Sequence, residues 1–322
     1  MRIVIHVPFG ADAFVDALRA VPGVAPTVAG TKDELRNALA GADALAVMAS
    51  LYDQATADAV AAAPKLGWIH FVSSGVDALL RFPPLPNAAV TNSAAAWAPT
   101  VAEHAVTLLS ALVRRIPDAL AAQTEHRWAG TEIRPRLRSL ETNSVVLLGF
   151  GAIGQQIARR LKAFDAHVIA VARSRRTHAD VDEFVTTEEV DQVLPRADAV
   201  VAALPATPAT RGFLDAQRLA SLPKGAVVIN VGRGDTIDQP ALLAALQNGH
   251  LGGAGLDVFD QEPVPADSPV WTTPGLLVTP HLAGIGSRAL IGRLATICAD
   301  NARRAVKGRP FATPVDLSTL GT

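Results

Sequence analysis

Short apolar runs alternate with longer stretches of helical spacing along this chain, and the alternation occurs in two successive series. Apolar runs without regular polar positions are buried on both faces, which is typical of parallel sheets covered by helices on both sides. The sequence therefore predicts an α/β protein with two doubly wound parallel sheets. The predicted strands are residues 2–7, 42–48, 67–72 and 88–90 in the first series and 144–149, 167–172, 198–204, 225–230, 252–258 and 276–279 in the second.

The length of 322 residues suits about two domains at roughly 150 residues each. The first sheet needs one of its faces covered, and we expect the last helical stretch, residues 288–306, to return to it. A long helix over residues 99–123 is predicted to open the second domain, with Pro99 near its start, where the missing N–H costs little. The predicted domains are residues 1–96 with 288–322, and residues 97–287.

Charge and cysteine content argue against several classes of partner. The formal charge is −1, from 29 Lys and Arg against 30 Asp and Glu, so no bulk field attracts nucleic acid or an anionic membrane. The single cysteine, Cys298, can form neither an internal disulfide nor a zinc knuckle, so we expect no metal site and a reducing, cytoplasmic setting. We also expect no export signal, because residues 1–7 enter a strand pattern without a basic head, a long apolar stretch or a small-residue cleavage site, and no membrane span, because the longest uncharged stretch, residues 82–102, is broken by prolines.

A glycine-rich turn follows the first strand of the second series. Gly149, Gly151 and Gly154 match the GxGxxG pattern between a predicted strand and a predicted helix over residues 155–164. The first glycine permits a tight turn, the second allows the main chain to approach a pyrophosphate, and the third allows the helix to pack closely on the strand. Free N–H groups at the helix start provide an anion site, so the turn predicts a bound dinucleotide. A turn of purely structural use is the alternative.

The end of the next strand bears on which dinucleotide is bound. A carboxylate at this position usually bonds the ribose hydroxyls of NAD, but here the strand ends in Ala172. Arg173, Ser174, Arg175 and Arg176 follow it and could bind a 2′-phosphate. The sequence therefore predicts NADP(H) as the preferred cofactor, with NAD(H) possible. A solvated basic loop is the alternative interpretation.

Three residues with catalytic chemistry follow strands of the second series. Arg233, in INVGRG, can bind a carboxylate through two parallel hydrogen bonds. His281, in TPHLAG, can exchange a proton with a carbonyl or hydroxyl oxygen near neutral pH. Glu262, in DVFDQEP, can fix the tautomer of a nearby imidazole and favour its protonated form. A surface arginine, a tolerated histidine and a routine Glu-Pro turn are the alternatives for each residue alone.

These motifs carry a resemblance to a known family. GFGAIG, LPATPATRG, INVGRG, LDVFDQEP and TPHLAG follow one another, with SSGVD and VAEHAV upstream. In this order, over nearly the whole chain, they resemble the D-isomer-specific 2-hydroxyacid dehydrogenase family. The basic loop after Ala172 resembles its NADP-preferring glyoxylate and hydroxypyruvate reductases. The resemblance implies a flavodoxin-like substrate domain built from both chain ends, a Rossmann dinucleotide-binding domain in the middle, a cleft between them, and a homodimer.

The same resemblance implies roles for single residues. Arg233 would bind the substrate carboxylate and carbonyl, His281 would be the acid/base, and Glu262 would pair with it. The N–H groups of Gly75 and Val76 would be offered to the carboxylate. The residues expected to bind substrate are Ser74, Gly75, Val76, Trp97 and Arg233, with Trp97 filling the interdomain core as its alternative. The residues expected to bind the cofactor are Gly149, Gly151, Ala152, Ile153, Gly154, Arg173, Ser174, Arg175, Leu204, Pro205, Thr210, Val231, Asp257, His281 and Gly284, with Asp257 near the nicotinamide carboxamide.

The function predicted is NADPH-dependent reduction of a small 2-keto acid, such as glyoxylate or hydroxypyruvate, to the D-2-hydroxy acid. A nucleotide-sensing binding protein is an alternative, because corepressors that resemble this family keep the same three residues. Formate oxidation on the same fold is a third reading, but the motifs for it are not seen. Phosphite-oxidising relatives carry a lysine in the SSGVD loop, and Ser73 and Ser74 argue against that chemistry.

Overall fold

The computed structural model describes residues 1–320 and divides into two compact units. One unit consists of Met1–Trp97 together with the chain from Gly286 onward, and the other of Ala98–Ile285. Each unit contains one sheet in which every strand pair is parallel. The predicted class, with two doubly wound parallel sheets, is confirmed.

The first unit has a five-stranded sheet in the order β2-β1-β3-β4-β5, which is the flavodoxin-like arrangement. Its strands are β1 (Arg2–His6), β2 (Ala25–Val28), β3 (Ala44–Val47), β4 (Trp68–Phe71) and β5 (Ala89–Asn92). Strand β2 was not predicted, because it lies at the sheet edge, contains Pro26 and has no buried residue that a pattern could detect.

Four helices complete the first unit. They are α1 (Ala11–Arg19), α2 (Lys32–Leu39), α3 (Gln54–Ala61) and α11 (Leu290–Val306). Helix α11, near the end of the chain, packs against α1, and its Leu294 and Cys298 lie in one apolar cluster with Ile3 and Phe14. Burial raises the pKa of the Cys298 thiol to about 12, so this side chain is an apolar core residue rather than a reactive thiol.

The second unit has a seven-stranded sheet in the order β12-β11-β10-β9-β6-β7-β8. This order reverses direction between β6 and β9, and ligands of open α/β sheets bind at such a switch point. The strands are β6 (Ser144–Leu148), β7 (His167–Ala172), β8 (Glu183–Thr186), β9 (Ala199–Ala202), β10 (Val227–Asn230), β11 (Gly253–Leu256) and β12 (Leu276–Val278). The short edge strand β8 is additional to the six that the sequence predicts, because only its two central residues, Phe184 and Val185, are buried and no longer apolar run marks it.

The prediction of one helix over residues 99–123 is wrong in two respects. Helix α4 spans Ala94–Val113, so Pro99 lies inside it rather than at its start, and the Asn92 side chain accepts a hydrogen bond from Ala94 N–H at its beginning. The helix then breaks at Arg115, which has a φ of 55° and donates to Gly252 O at 2.8 Å. The remaining helices are α5 (Ile116–Thr124), α6 (Gly130–Ile133), α7 (Ala152–Lys162), α8 (Val190–Val193), α9 (Ala216–Ser221) and α10 (Gln239–Gln247).

Helix α4 alone among the described residues is long and apolar enough to cross a membrane by length and composition. Most of it is buried inside the protein, as in the core helix of a globular domain.

Candidate active site

Arg233, Glu262 and His281 follow β10, β11 and β12, which are neighbours in the second sheet. Because the three strands are parallel, their carboxyl ends lie along one edge, and the three turns that carry these side chains are adjacent. All three residues belong to the unit Ala98–Ile285. The topology therefore brings the predicted cation, carboxylate and imidazole to the same edge of one sheet.

His281 and Glu262 form a close pair at this edge. His281 Nδ1 lies 2.6 Å from Glu262 Oε2, and Glu262 Oε1 accepts a hydrogen bond from Phe259 N–H at 3.0 Å. An ionised carboxylate can only accept, so the imidazole carries its hydrogen on Nδ1 and leaves Nε2 for a substrate atom. The His281 side chain is 55% exposed, so a small molecule can reach it. The pair has the arrangement of a histidine oriented for proton transfer.

The turn that carries His281 is held by the carboxylate of Asp257. This side chain is 1% exposed and accepts hydrogen bonds from Thr279 Oγ1 at 2.6 Å, Leu282 N–H at 2.8 Å and Ala283 N–H at 2.9 Å. His281 itself has a φ of 54°, a region that non-glycine residues adopt only when their surroundings hold them there. Asp257 therefore supports the main chain around the imidazole. Its predicted contact with the nicotinamide carboxamide stays a prediction.

The turn that carries Arg233 is organised by polar residues of β10 and the residues after it. Asn230 Nδ2 and Thr236 Oγ1 both donate to Arg233 O, at 2.9 and 2.6 Å. A Cβ on Gly234 would lie 2.0 Å from the carbonyl carbon of Phe259, so only glycine fits between this turn and the next. The turns after β10 and β11 are thus in direct contact, and Arg233 is held beside the segment that contains Glu262.

The glycine-rich turn has the geometry that a dinucleotide pyrophosphate needs. Gly149 has a φ of 95°, and a Cβ on Gly154 would lie 2.1 Å from Gly149 O, so the third glycine is required for close packing of helix and turn. A Cβ on Gly151 would meet no atom within 4 Å, so the outer side of the turn is open. Helix α7 begins at Ala152 without a side-chain cap, so its first N–H groups are available to an anion.

The residues after β7 differ in how firmly they are held. Arg175 is ion-paired with Glu189 at 2.5 Å, and the Thr186 N–H together with the Arg175 guanidinium keeps the pKa of Glu189 below its usual value. Arg176 lies over the ring of Phe150 and donates to its carbonyl at 3.3 Å. Arg173 and Ser174 are exposed and make no hydrogen bond or ion pair to any residue in the described part of the chain. The loop therefore presents one unengaged guanidinium and one unengaged hydroxyl at the end of β7.

The switch point lies between β6 and β9, so the loop after β9 faces the glycine-rich turn after β6. Thr210 Oγ1 donates to Pro205 O at 2.6 Å and shapes the LPATPATRG segment. A Cβ on Gly232 would lie 2.6 Å from Leu204 O, so this loop touches the turn that starts at Val231. Gly284 is half-buried two residues after the exposed Leu282. Leu204, Pro205, Thr210, Val231 and Gly284 all lie at or after carboxyl ends of strands, and their contacts with a cofactor stay predictions.

The remaining predicted residues lie in the first unit. Trp97 is the fourth residue of α4, and its Nε1 donates to Val72 O at 2.9 Å, just before the loop of residues 73–77. The Asn92 side chain donates to Ser74 O at 3.0 Å and holds the same loop. The N–H groups of Gly75 and Val76 donate to no acceptor within residues 1–320. Their binding of a substrate carboxylate stays a prediction.

Several residues that organise the site were not predicted from the sequence. Asn230, Thr236 and Thr279 hold the turns of Arg233 and His281, and His104 on α4 bonds to Thr279. Asn230 and Thr279 lie within the motifs INVGRG and TPHLAG, so their position beside Arg233 and His281 was a signal that could have been used. His104 lies in VAEHAV, far from the others in sequence, and only the fold brings it to them.

Comparison with known proteins assigns the family. The family model described as "D-isomer specific 2-hydroxyacid dehydrogenase, NAD binding domain" matches residues 106–283, which is more than half of the chain. The matched residues fall within the unit that contains the glycine-rich turn, Arg233, Glu262 and His281. The chain belongs to the D-isomer specific 2-hydroxyacid dehydrogenase family, and the resemblance stated from its motifs is confirmed.

Individual relatives agree with this assignment. A D-isomer specific 2-hydroxyacid dehydrogenase from Xanthobacter autotrophicus, solved with NADPH and MES, is 31% identical with a TM-score of 0.83 and covers 98% of each chain. The NADPH-dependent glyoxylate/hydroxypyruvate reductase of Sinorhizobium meliloti, solved with NADP and sulfate, is 27% identical with a TM-score of 0.85 and covers 99% of each chain. The D-3-phosphoglycerate dehydrogenase of Mycobacterium tuberculosis is 36% identical over 292 residues, which are 86% of this chain and 52% of that protein. The chain thus spans about half the length of the phosphoglycerate dehydrogenases that it matches.

Proposed function

We propose that this protein reduces a small 2-keto acid, such as glyoxylate or hydroxypyruvate, to the D-2-hydroxy acid with NADPH. The observation that carries the proposal is the 2.6 Å contact of His281 Nδ1 with Glu262 Oε2, beside the turn of Arg233. The names of the solved relatives with NADPH or NADP bound, one of them a glyoxylate/hydroxypyruvate reductase, support the same reaction.

The residues present fit a dinucleotide at the switch point of the second sheet. Gly151 and the N–H groups at the start of α7 would hold the pyrophosphate, and Arg173 with Ser174 would hold a 2′-phosphate. The bound dinucleotide supplies the hydride that is added to the carbonyl carbon. The protein itself must then bind one carboxylate and deliver one proton.

The carboxylate and the proton are assigned to different side chains. The planar fork of Arg233 can donate two parallel hydrogen bonds to the substrate carboxylate and draw electron density from the adjacent carbonyl. His281 delivers the proton from Nε2 to the carbonyl oxygen as negative charge develops there. Glu262 accepts the hydrogen on Nδ1, so it fixes the ring orientation and stabilises the imidazolium that is present before transfer. In the reverse direction Nε2 takes the hydroxyl proton.

The proposal is tested by following NADPH and NADH absorbance with a panel of acids. Glyoxylate, hydroxypyruvate, pyruvate, a branched 2-keto acid and no substrate form the main series. D-3-Phosphoglycerate with NAD⁺ is added because of the phosphoglycerate dehydrogenase relatives. Turnover of a small 2-keto acid with NADPH supports the proposal. Activity with D-3-phosphoglycerate alone would show that the substrate is a phosphorylated hydroxy acid and not a small 2-keto acid. No turnover with any acid and either cofactor would favour a nucleotide-sensing role.

The cofactor preference leads to a prediction about Arg173. The change Arg173→Ala should raise the KM for NADPH roughly 10- to 100-fold, the effect of one lost hydrogen bond to a charged group. The KM for NADH should stay nearly unchanged, because NADH has no 2′-phosphate. Steady-state kinetics with both cofactors measure this. Arg159→Ala is the matched control, since Arg159 is an exposed arginine in the last turn of α7, at the opposite end of the helix from the glycine-rich turn. Equal losses for NADPH and NADH would contradict the 2′-phosphate site.

We also propose that the protein is a cytoplasmic homodimer. Apolar side chains on and near α5 support a contact with a second copy, because Trp128 is 100%, Leu120 56% and Ile116 47% exposed. Light scattering should give about twice the chain mass of 33.5 kDa, and Trp128→Glu should shift the mass toward the monomer. Trp271→Glu, which alters a half-exposed tryptophan, is the control. A monomeric native protein would contradict the proposal.

A further inference from the structure

His104 contacts the support of the His281 turn from a distant part of the sequence. It lies on α4, and its Nε2 is 2.9 Å from Thr279 Oγ1 and 3.5 Å from Asp257 Oδ1. Its side chain is 23% exposed, whereas that of Asp257 is 1% exposed. The three residues therefore form a polar cluster next to His281. The proposed reaction assigns no role to two of them, His104 and Thr279.

The hydrogen positions in this cluster follow from the distances. Thr279 Oγ1 lies 2.6 Å from Asp257 Oδ1 and donates its single hydrogen to that carboxylate. The hydroxyl can therefore only accept from His104, so His104 carries a hydrogen on Nε2 and donates it. This direction holds for the neutral and for the protonated ring. His104 thus orients the Thr279 hydroxyl toward the buried carboxylate.

The buried carboxylate transmits this orientation to the residues that flank His281. Asp257 Oδ1 accepts from Thr279 and from Leu282 N–H, and Asp257 Oδ2 accepts from Ala283 N–H. The N–H of His281 donates to the main-chain oxygen of Asp257 at 2.9 Å. A carboxylate with almost no solvent contact needs its hydrogen-bond donors to remain charged and in place. We therefore expect loss of the Thr279 donor to loosen the bonds to residues 282 and 283 as well.

We propose that His104 is a positioning residue for His281 and acts through Thr279 and Asp257. The left-handed backbone of His281, with a φ of 54°, belongs to a turn whose donors converge on the Asp257 carboxylate. His104 donates from α4 to one of these donors, the Thr279 hydroxyl. The expected effect of His104 on catalysis rests on the proposed function of His281. Its expected effect on the turn of residues 279–283 does not depend on that function. His104 touches neither substrate nor cofactor in this proposal.

Two substitutions at His104 separate the hydrogen bond from the side-chain volume. His104→Leu fills the space without a donor, and His104→Gln restores an N–H donor at a similar reach. In His104→Leu, amide hydrogen exchange at Leu282 and Ala283 should accelerate about tenfold. His104→Gln should stay within about twofold of the wild type. Amides of β10, such as Ile229, are the internal control for global stability and should not change.

Kinetics of the same variants test the link to the reaction. In His104→Leu, kcat should fall about tenfold while NADPH binding, measured by fluorescence, stays within about twofold, and His104→Gln should recover kcat. Thr279→Val offers a second route, because it removes the hydroxyl and keeps the shape. The double variant with His104→Leu and Thr279→Val should have the same kcat as Thr279→Val alone, since both changes break the same hydrogen-bonded connection between His104 and Asp257.

The outcomes separate this inference from the proposed function. Unchanged exchange at Leu282 and Ala283 in His104→Leu, or equal acceleration in His104→Gln, would overturn the positioning role. Wild-type protein that turns over no 2-keto acid would overturn the proposed function, and the exchange measurement would still decide the role of His104.

Discussion

Replacement of His281 with glutamine is expected to lower kcat for 2-keto acid reduction roughly 10²- to 10⁴-fold, the usual contribution of a general acid. Glutamine keeps a polar group of similar size but cannot hold and release a proton at Nε2. NADPH binding should stay near the wild-type value, because the glycine-rich turn after β6 and the loop after β7 are unchanged. Single-turnover and steady-state absorbance at saturating NADPH measure the effect.

His250→Gln is the control for the His281 variant. His250 belongs to the same unit and bonds to Leu219 O at 3.2 Å, in a segment that carries none of the predicted site residues. It should therefore keep the wild-type kcat. A His281→Gln protein that reduces glyoxylate at the wild-type rate would show that another group delivers the proton.

Replacement of Arg233 with lysine is expected to raise the KM for the keto acid by about 10²-fold or more, although the positive charge is kept. A guanidinium donates two parallel hydrogen bonds to a carboxylate, whereas an ammonium acts as a point charge, and each hydrogen bond between charged groups is worth about 1.5–3 kcal/mol. The KM for NADPH should change little, because Arg233 is assigned to the acid. Titration of the keto acid at saturating NADPH measures the loss.

Arg211→Lys is the matched control for the arginine-to-lysine change. The Arg211 side chain is 76% exposed and lies 3.6 Å from Asp235, so a lysine can replace its single long ion pair with little effect. If Arg233→Lys binds the keto acid as well as the wild type does, the assigned carboxylate clamp is wrong. If its KM for NADPH rises as much as that for the acid, Arg233 contributes to the cofactor site instead.

The sequence predicted the strands that contain a continuous apolar run, among them the edge strands β5 and β12. Strands such as β6 and β10 are buried at nearly every residue, so continuous apolar runs marked them clearly. Strands β2 (APTV) and β8 (EFVT) also lie at sheet edges, but a proline or polar residues leave them without a continuous apolar run, and the pattern missed both. Helix α4 was placed too late because Pro99, which lies inside it, was taken for its start, and it was continued too far because Pro117, at the beginning of α5, was not used as a break.

The turns of the site show a division between local and distant contacts. The spacing of Gly149, Gly151 and Gly154 is a local requirement of one strand-turn-helix unit, and the sequence displays it directly. Which residues of the basic loop are available to a phosphate depends on contacts outside the loop. Arg175 is ion-paired with Glu189, and only Arg173 and Ser174 remain without a described partner. The sequence predicted three cations for one phosphate and could not rank them.

The sequence by itself determined the class of fold, the family and the residue types at the strand ends, because these depend on periodicity and on motifs of a few consecutive residues. Only the tertiary structure decided which atoms meet. Nδ1 of His281 faces Glu262, and Asp257 gathers the donors of residues 279, 282 and 283. His104 reaches Thr279 across 175 positions of the chain. The physical reason is that hydrogen bonds depend on distances of about 3 Å, and such distances between remote residues are set only when the sheet and helix α4 have packed.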